Sequence, residues 1–307
     1  ERATSESVAL DSTGTLLVAG DPDDAAVLHR HAQLLDRLGL AGERLGARAA
    51  RRLEPALSPR LCGALLLPDE HSVDPRRVVR LLLRALASLG VTVRRARARP
   101  LLDGGRCVGV ETEPGEGHEA RPGQRRPADA VVLASGWSAG RAQVPGLDLA
   151  RALRPLKGQV LRLRGEPGLL THTVRATVHG DEVYLVPRPD GEVVVGATSE
   201  DVGVDTRVTA GGVHDLLRSA VAVVPELAEL ELAEATARLR PATLDNLPLV
   251  GATSTPGLLL AVGHGRDGIL LTPLTTEAVV AAVLDTPAPH HAEPLDPQRF
   301  AAERSPA

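Results

Sequence analysis

Four short stretches of alternating apolar and polar residues follow one another between Val160 and Ala197, at 160–164, 173–177, 182–187 and 192–197, with Pro189-Asp190-Gly191 as a turn. Period-two alternation with such short connections leaves no room for crossover helices, so these strands make an antiparallel sheet. The flanking sequence has a different texture. At about 70–155 and 240–286 apolar strands alternate with helical patterns, the signature of a doubly wound α/β domain. The expected architecture is therefore a mixed α/β (α+β) fold, in which an α/β domain is interleaved with a second, antiparallel-sheet domain.

Local signals place the remaining elements. Thr15–Val18 reads as a strand. Pro22–Leu40 reads as a helix with Asp23 and Asp24 in its first turn, Leu28, Leu35 and Leu38 on one face, and Gly42 as its stop. A shorter helix over 48–57 precedes a strand over 61–67. Asp74 caps a helix that opens on Pro75, carries the stripe Val78, Leu82, Leu86 and Leu89, and ends at Gly90. Strands are expected at 91–97 and 106–111, an exposed hairpin tip at 114–127, and a buried parallel strand at 128–134 that ends in Ser135-Gly136. Thr209 caps a helix to about Val224, and the tail beyond Pro287 is expected to be poorly ordered.

Composition narrows the function classes. The 307 residues carry 35 Lys+Arg against 39 Asp+Glu, a net charge of −4, which excludes a basic nucleic-acid binder and an acidic disordered chain. Hydrophobic residues make up 43% of the chain but only one Trp, one Tyr and one Phe are present, so Leu, Val and Ala must fill the core. Cys62 and Cys107 belong to no CxxC or Cys/His cluster, so a metal site is not expected and both read as small buried hydrophobes. No apolar run reaches the ~18 residues of a membrane span, and a soluble, cytoplasmic protein is the expectation.

Three features carry chemistry. In Gly257–Leu271, GLLLAVGHGRDGILL, an apolar strand runs through a glycine turn into a helix, where backbone approaches a ligand closely and free N–H groups with a positive dipole end face an anion or an electron-rich ring. No GKS or GKT follows, which excludes a P-loop, and the turn is read as lacking the GxGxxG spacing that opens a dinucleotide fold. Arg240, between Leu239 and Pro241 at a strand end, has the stiff setting of a guanidinium held for a carboxylate. Tyr184, in EVYLVPR, is a strand residue able to fill core or to line a small-ligand pocket.

The blocks LLLPDEHSVDPRRV, VVLASGWSAG, LRPLKGQVLRLRG, VYLVPRPDGEVVVGATSE, LRPATLDNLPLVGAT and GHGRDGILLTP occur in the order and spacing of the glycine oxidases among the D-amino-acid-oxidase-like flavoproteins. The sequence resembles that family over nearly its whole length. The resemblance implies FAD as cofactor and oxidative deamination of glycine or a small amino acid, with molecular oxygen as co-substrate. Ammonia, hydrogen peroxide and an imine or 2-oxo acid would form, the imine feeding thiazole or thiamine synthesis. Arg240 would grip the substrate carboxylate, Arg266 would make a second substrate contact, and Tyr184 would line the pocket. The turn His264, Gly265, Arg266, Asp267, Gly268, Ile269 and Leu270 would lie against the flavin, its N–H groups facing the negative charge that develops there.

Residues 1–69 and 156–239 would form the substrate domain, 70–155 and 240–286 an incomplete FAD domain, and 287–307 a tail. Lys157-Gly158 and Gly196-Ala197-Thr198 would be structural. No acid or base residue is required, and neither nucleic acid nor membrane is implied; whether copies of the chain associate stays open. Two departures stand out: Gly265 replaces the family's aromatic and Asp267 its Asn. The family also opens on a strand and a GxGxxG that seats the FAD pyrophosphate. No such unit begins this sequence, which reads as an N-terminally truncated glycine oxidase that holds FAD poorly or not at all. A sarcosine oxidase or D-amino acid dehydrogenase of the same fold, or a catalytically dead fragment acting as a binding module, are the alternatives.

Overall fold

The computed structural model describes residues 6–114 and 121–301, so residues 115–120 of the hairpin tip expected over 114–127 lie outside the described residues. In chain order, β1 (Thr15–Ala19), α1 (Pro22–Leu38), β2 (Glu43–Leu45), α2 (Ala47–Leu53), β3 (Gly63–Leu67) and α3 (Pro75–Ser88) come first. There follow β4 (Arg97–Asp103), β5 (Arg106–Glu113), β6 (Arg125–Pro127), β7 (Val131–Leu133) and the single turn α4 (Leu149–Ala152). Then come β8 (Leu153–Arg164), β9 (Thr173–Val178), β10 (Asp181–Pro187), β11 (Glu192–Gly196) and α5 (Ala210–Val223). The chain closes with β12 (Glu231–Thr243), β13 (Leu249–Ala252), β14 (Leu258–Val262) and α6 (Thr272–Val283).

Helices α1, α3 and α5 begin where a side chain takes up a free N–H group. Asp21 accepts from the Asp24 amide at α1, Asp74 from Arg76 at α3 and Thr209 from Gly212 at α5. Helix α1 stops at Gly39, at φ 65°, rather than at the expected Gly42, because the first glycine past the apolar face takes the left-handed cap.

Contacts divide the chain into two units. The first comprises Glu1–Gly90, Gly158–Glu200 and Thr206–Arg238; the second comprises Val91–Lys157, Asp201–Asp205 and Leu239–Ala307. In the first, an eight-stranded sheet runs β12-β8-β11-β10-β9-β1-β3-β2. Strands β8 to β11 pair antiparallel, and β1 joins β9 in parallel. Leu161, Val174, Leu185 and Val195 on one face are fully buried with Leu216, Ala220 and Val223 of α5. On the other face a row crosses the strands through Leu65, Leu17, Arg175, Tyr184, Gly196 and Val160. The peptide after Gly196 is cis.

The α3 stripe differs from its expected form. Leu81 is the buried residue, whereas Leu82 and Leu89 are 55% and 71% exposed. In the second unit, β13-β14-β7 and β4-β5-β6 form two three-stranded sheets. Leu249, Leu258, Leu260 and Val262 make the core of the first of these. Residues 91–96, expected as a strand, have no regular structure, since no described strand pairs with them. The strand expected over 128–134 shortens to β7, parallel to β14 but at the sheet edge, with Val132 38% exposed rather than buried.

Residues beyond Pro287 are not a loose tail as far as they are described. Two 3-10 turns, His290–Leu295 and Pro297–Phe300, bury Ala292, Leu295 and Pro297, because apolar side chains there find β13 and α6. Cys107 is buried as expected, but Cys62 is exposed. Among the described residues no helix is long and apolar enough to cross a membrane, and no His/Cys/Asp/Glu group has metal-binding geometry.

Candidate functional site

The second unit carries the glycine turn at the end of β14. That strand pairs through Leu258–Leu260 with β7 and on its other side with β13, and it leads into Gly263 at φ 84°. A Cβ at Gly263 would fall 2.5 Å from Cγ2 of Thr243, so the close passage past β12 requires glycine. Two residues on, Gly265, at φ 55°, donates its N–H to the Pro241 carbonyl at 2.8 Å. The turn is thereby tied to the strand position next to Arg240.

Beyond it, the Asp267 amide bonds to the His264 carbonyl and the Leu271 amide to the Asp267 carbonyl, each at 2.9 Å. Helix α6 begins at Thr272, later than the start expected at Gly268–Leu270, because Pro273 suits the first helical turn and Gly268 does not. The shift leaves the N–H groups of Gly268, Ile269 and Leu270 in the entry turn, with no acceptor among the described residues. Ile269 and Leu270 are 50% and 77% exposed. Unpaired donors beside apolar side chains, at the positive end of a helix, suit a flat apolar ring that carries carbonyl oxygens.

The glycines at 263, 265 and 268 do satisfy G-x-G-x-x-G, so the sequence reading that set this turn apart by its spacing is corrected. What separates it from a dinucleotide fingerprint is the helix. In a fingerprint the glycine turn opens directly into the helix, whereas α6 starts four residues past Gly268.

Arg240 is half-buried near the end of β12, and Arg266 is exposed on the turn. The loop after β12 is held firmly. Thr243 Oγ1 donates to the Leu247 carbonyl at 2.8 Å, and Arg299 grips Asp245 through Nε at 2.8 Å and Nη2 at 3.2 Å. The Arg299 guanidinium holds the Asp245 carboxyl down at about 2. His264 Nε2 lies 2.9 Å from Thr275 Oγ1, and burial pushes the imidazole below the usual histidine range, so it is neutral near pH 7. The structure thus brings Arg240 and the turn His264–Leu270 together through one backbone bond. Of the two residues that hold this arrangement, Pro241 carried no signal beyond its place in a motif, and Thr275 lies outside the motifs altogether.

Tyr184 belongs to the first unit. It stands half-buried on β10, on the sheet face opposite the core, between Arg175 of β9 and Gly196 of β11. On the α5 side of the same sheet, fully buried Gln159 on β8 fastens the chain around α5. Its Nε2 donates to Glu200 Oε1 at 2.7 Å and to Thr209 Oγ1 at 3.0 Å, and its Oε1 accepts the Thr209 amide at 2.9 Å. The Thr198 hydroxyl accepts the Gln159 amide at 2.9 Å and donates to Glu200 at 2.5 Å.

Comparison with known proteins agrees with the sequence resemblance. A family described as FAD dependent oxidoreductase (DAO) matches residues 1–282. The Bifunctional protein ThiO/ThiG of Nostoc sp. is 32% identical over 240 residues, covering 77% of this chain and 34% of the relative, so the chain spans about a third of that relative's length. The Glycine oxidase of Geobacillus kaustophilus is 32% identical over 272 residues, 87% of this chain and 68% of the relative. The crystal structure of glycine oxidase from Geobacillus kaustophilus superposes with a TM-score of 0.83 at 30% identity, covering 98% of this chain and 78% of that one.

Proposed function

The chain belongs to the FAD-dependent oxidoreductases of the D-amino-acid oxidase family, close to the glycine oxidases, and from that premise we propose that it serves oxidative deamination of glycine or another small amino acid. Substrate, oxygen and water would give a 2-oxo acid, ammonia and hydrogen peroxide. The carrying observation is the Gly265 to Pro241 hydrogen bond, which sets a carboxylate-binding candidate, Arg240, next to a turn with unpaired N–H donors.

The turn's residues fit the ring end of FAD. Gly268, Ile269 and Leu270 offer amides for its carbonyls, Ile269 and Leu270 an apolar surface, and Gly265 leaves space, since a Cβ there would meet nothing within 4 Å. When bound, FAD supplies the acceptor for the hydride that leaves the substrate Cα. The protein's own part is binding and orientation. Arg240 holds the carboxylate as a two-pronged donor, Arg266 adds a second positive charge, Tyr184 is a wall for the substrate, and neutral His264 supports the turn without drawing charge from it. The role divided between the units follows the same reading: the eight-stranded sheet for substrate, the β13-β14-β7 side for cofactor. Transfer of the imine to thiazole synthesis is the matching physiological role.

The test is peroxide release from the flavin-loaded protein, expressed in its natural reading frame, with glycine, sarcosine and D-alanine compared. Turnover of glycine is expected, and Arg240→Ala should lower kcat/KM by about 10²-fold or more, the scale of a lost charge-assisted pair. Unchanged glycine turnover in Arg240→Ala would sink the carboxylate assignment. Turnover of sarcosine alone would move the chain to the sarcosine-oxidase reading.

A further inference from the structure

Tyr184 and Gly196 face each other directly across β10 and β11. Opposed Cα atoms of an antiparallel pair lie about 4.5–5.5 Å apart, a distance a tyrosine ring can cross. Here it does. A Cβ built on Gly196 would fall 2.3 Å from both Cζ and Oη of Tyr184 and 2.7 Å from Cε2, so the far end of the ring, and not its root, lies over Gly196. The side chain leans across the strand pair and carries its hydroxyl from β10 to a place above β11.

We infer that Gly196 is the positioning residue for the Tyr184 hydroxyl. The space that glycine leaves is the seat of the ring's end, and any side chain at 196 moves the hydroxyl by about 1 Å, the gap between 2.3 Å and an ordinary contact of ~3.5 Å. The geometry is that of an aromatic covering a cross-strand glycine, with the polar tip of the ring as the part that is placed. Val160 continues the same row on the far side of Gly196, so the hydroxyl stands at mid-face rather than at a sheet edge. The functional consequence rests on the assignment of Tyr184 to the substrate: Gly196 then fixes where that wall presents its hydroxyl.

Because Tyr184 is the chain's one tyrosine, labelling with 3-fluorotyrosine gives a single fluorine resonance that reports on it alone. Gly196→Ala is expected to shift that line. Gly211→Ala on α5, where an added Cβ meets nothing within 4 Å, leaves it in place. Sodium glycolate, a carboxylate probe, moves the line of the unaltered protein and moves it less in Gly196→Ala, and glycine kcat/KM of the flavin-loaded variant falls about 10²-fold, as a ~1 Å misplacement implies. If Gly196→Ala fails to fold, adding Tyr184→Ser restores folding, since the clash is gone. A fluorine line unmoved by Gly196→Ala, or no rescue by Tyr184→Ser in a variant that fails to fold, overturns the inference. A line that shifts with Gly196→Ala but ignores glycolate supports the seating of the ring and refutes the substrate assignment of Tyr184.

Discussion

The eight-stranded sheet and the β13-β14-β7 sheet are built from similarly apolar strands, yet in the second the cover stops at β14: Leu249, Leu258 and Leu260 are buried, and β7 has no buried residue. Leu161, Leu185 and Val195 are fully buried between sheet and α5, whereas β7 stands at the edge of its sheet with Val132 38% exposed, and residues 91–96 join no strand at all. An apolar run becomes a buried strand only when a neighbour supplies its hydrogen bonds and a layer covers its face. Side-chain pattern states a preference, and pairing decides the outcome.

The sharpest way to break this contrast is to cut a side chain on each side of it. Leu161→Ala should cost about 3 kcal/mol in urea unfolding, as cavity-forming changes in cores do, while Val132→Ala should cost under about 1 kcal/mol. Equal losses would mean that β7 is covered after all. The next largest effect tests how the second unit holds the loop after β12. Asp245 is held at about 2 by Arg299, so its contribution is present above the ordinary aspartate value and is lost as pH falls from about 4 through about 2. Because the pair is partly exposed, Arg299→Ala should cost about 1 kcal/mol at neutral pH and remove that acid dependence, as read from unfolding at several pH values.

The smallest effect concerns His264. Its folded-state value lies below the unfolded one, so between the two the unfolded chain binds more protons and stability rises with pH, reaching its full value above about 6.5. Replacing His264 by Leu should flatten that slope, and an unchanged slope would place the titrating group elsewhere.

Much of the fold was legible because several local signals coincided. The strands between 160 and 197 alternate on both faces and have turn residues between them, and Asp74-Pro75 and Thr209 mark helix starts that the structure keeps. What sequence could not supply was tertiary. The exposure of Leu82, the exposure of Cys62 and the unpaired 91–96 all depend on which elements meet. Within the candidate site, Arg240 and the glycine turn were visible as motifs. The late start of α6 turned on Pro273, and the seat of Tyr184 turned on the cross-strand register with Gly196, which no single segment encodes.

The bond from Gly265 to Pro241 also makes a lever of two elements far apart in sequence. On the proposed reading, a ring settling against the turn would press on the backbone that bears Arg240 without any side chain as intermediary.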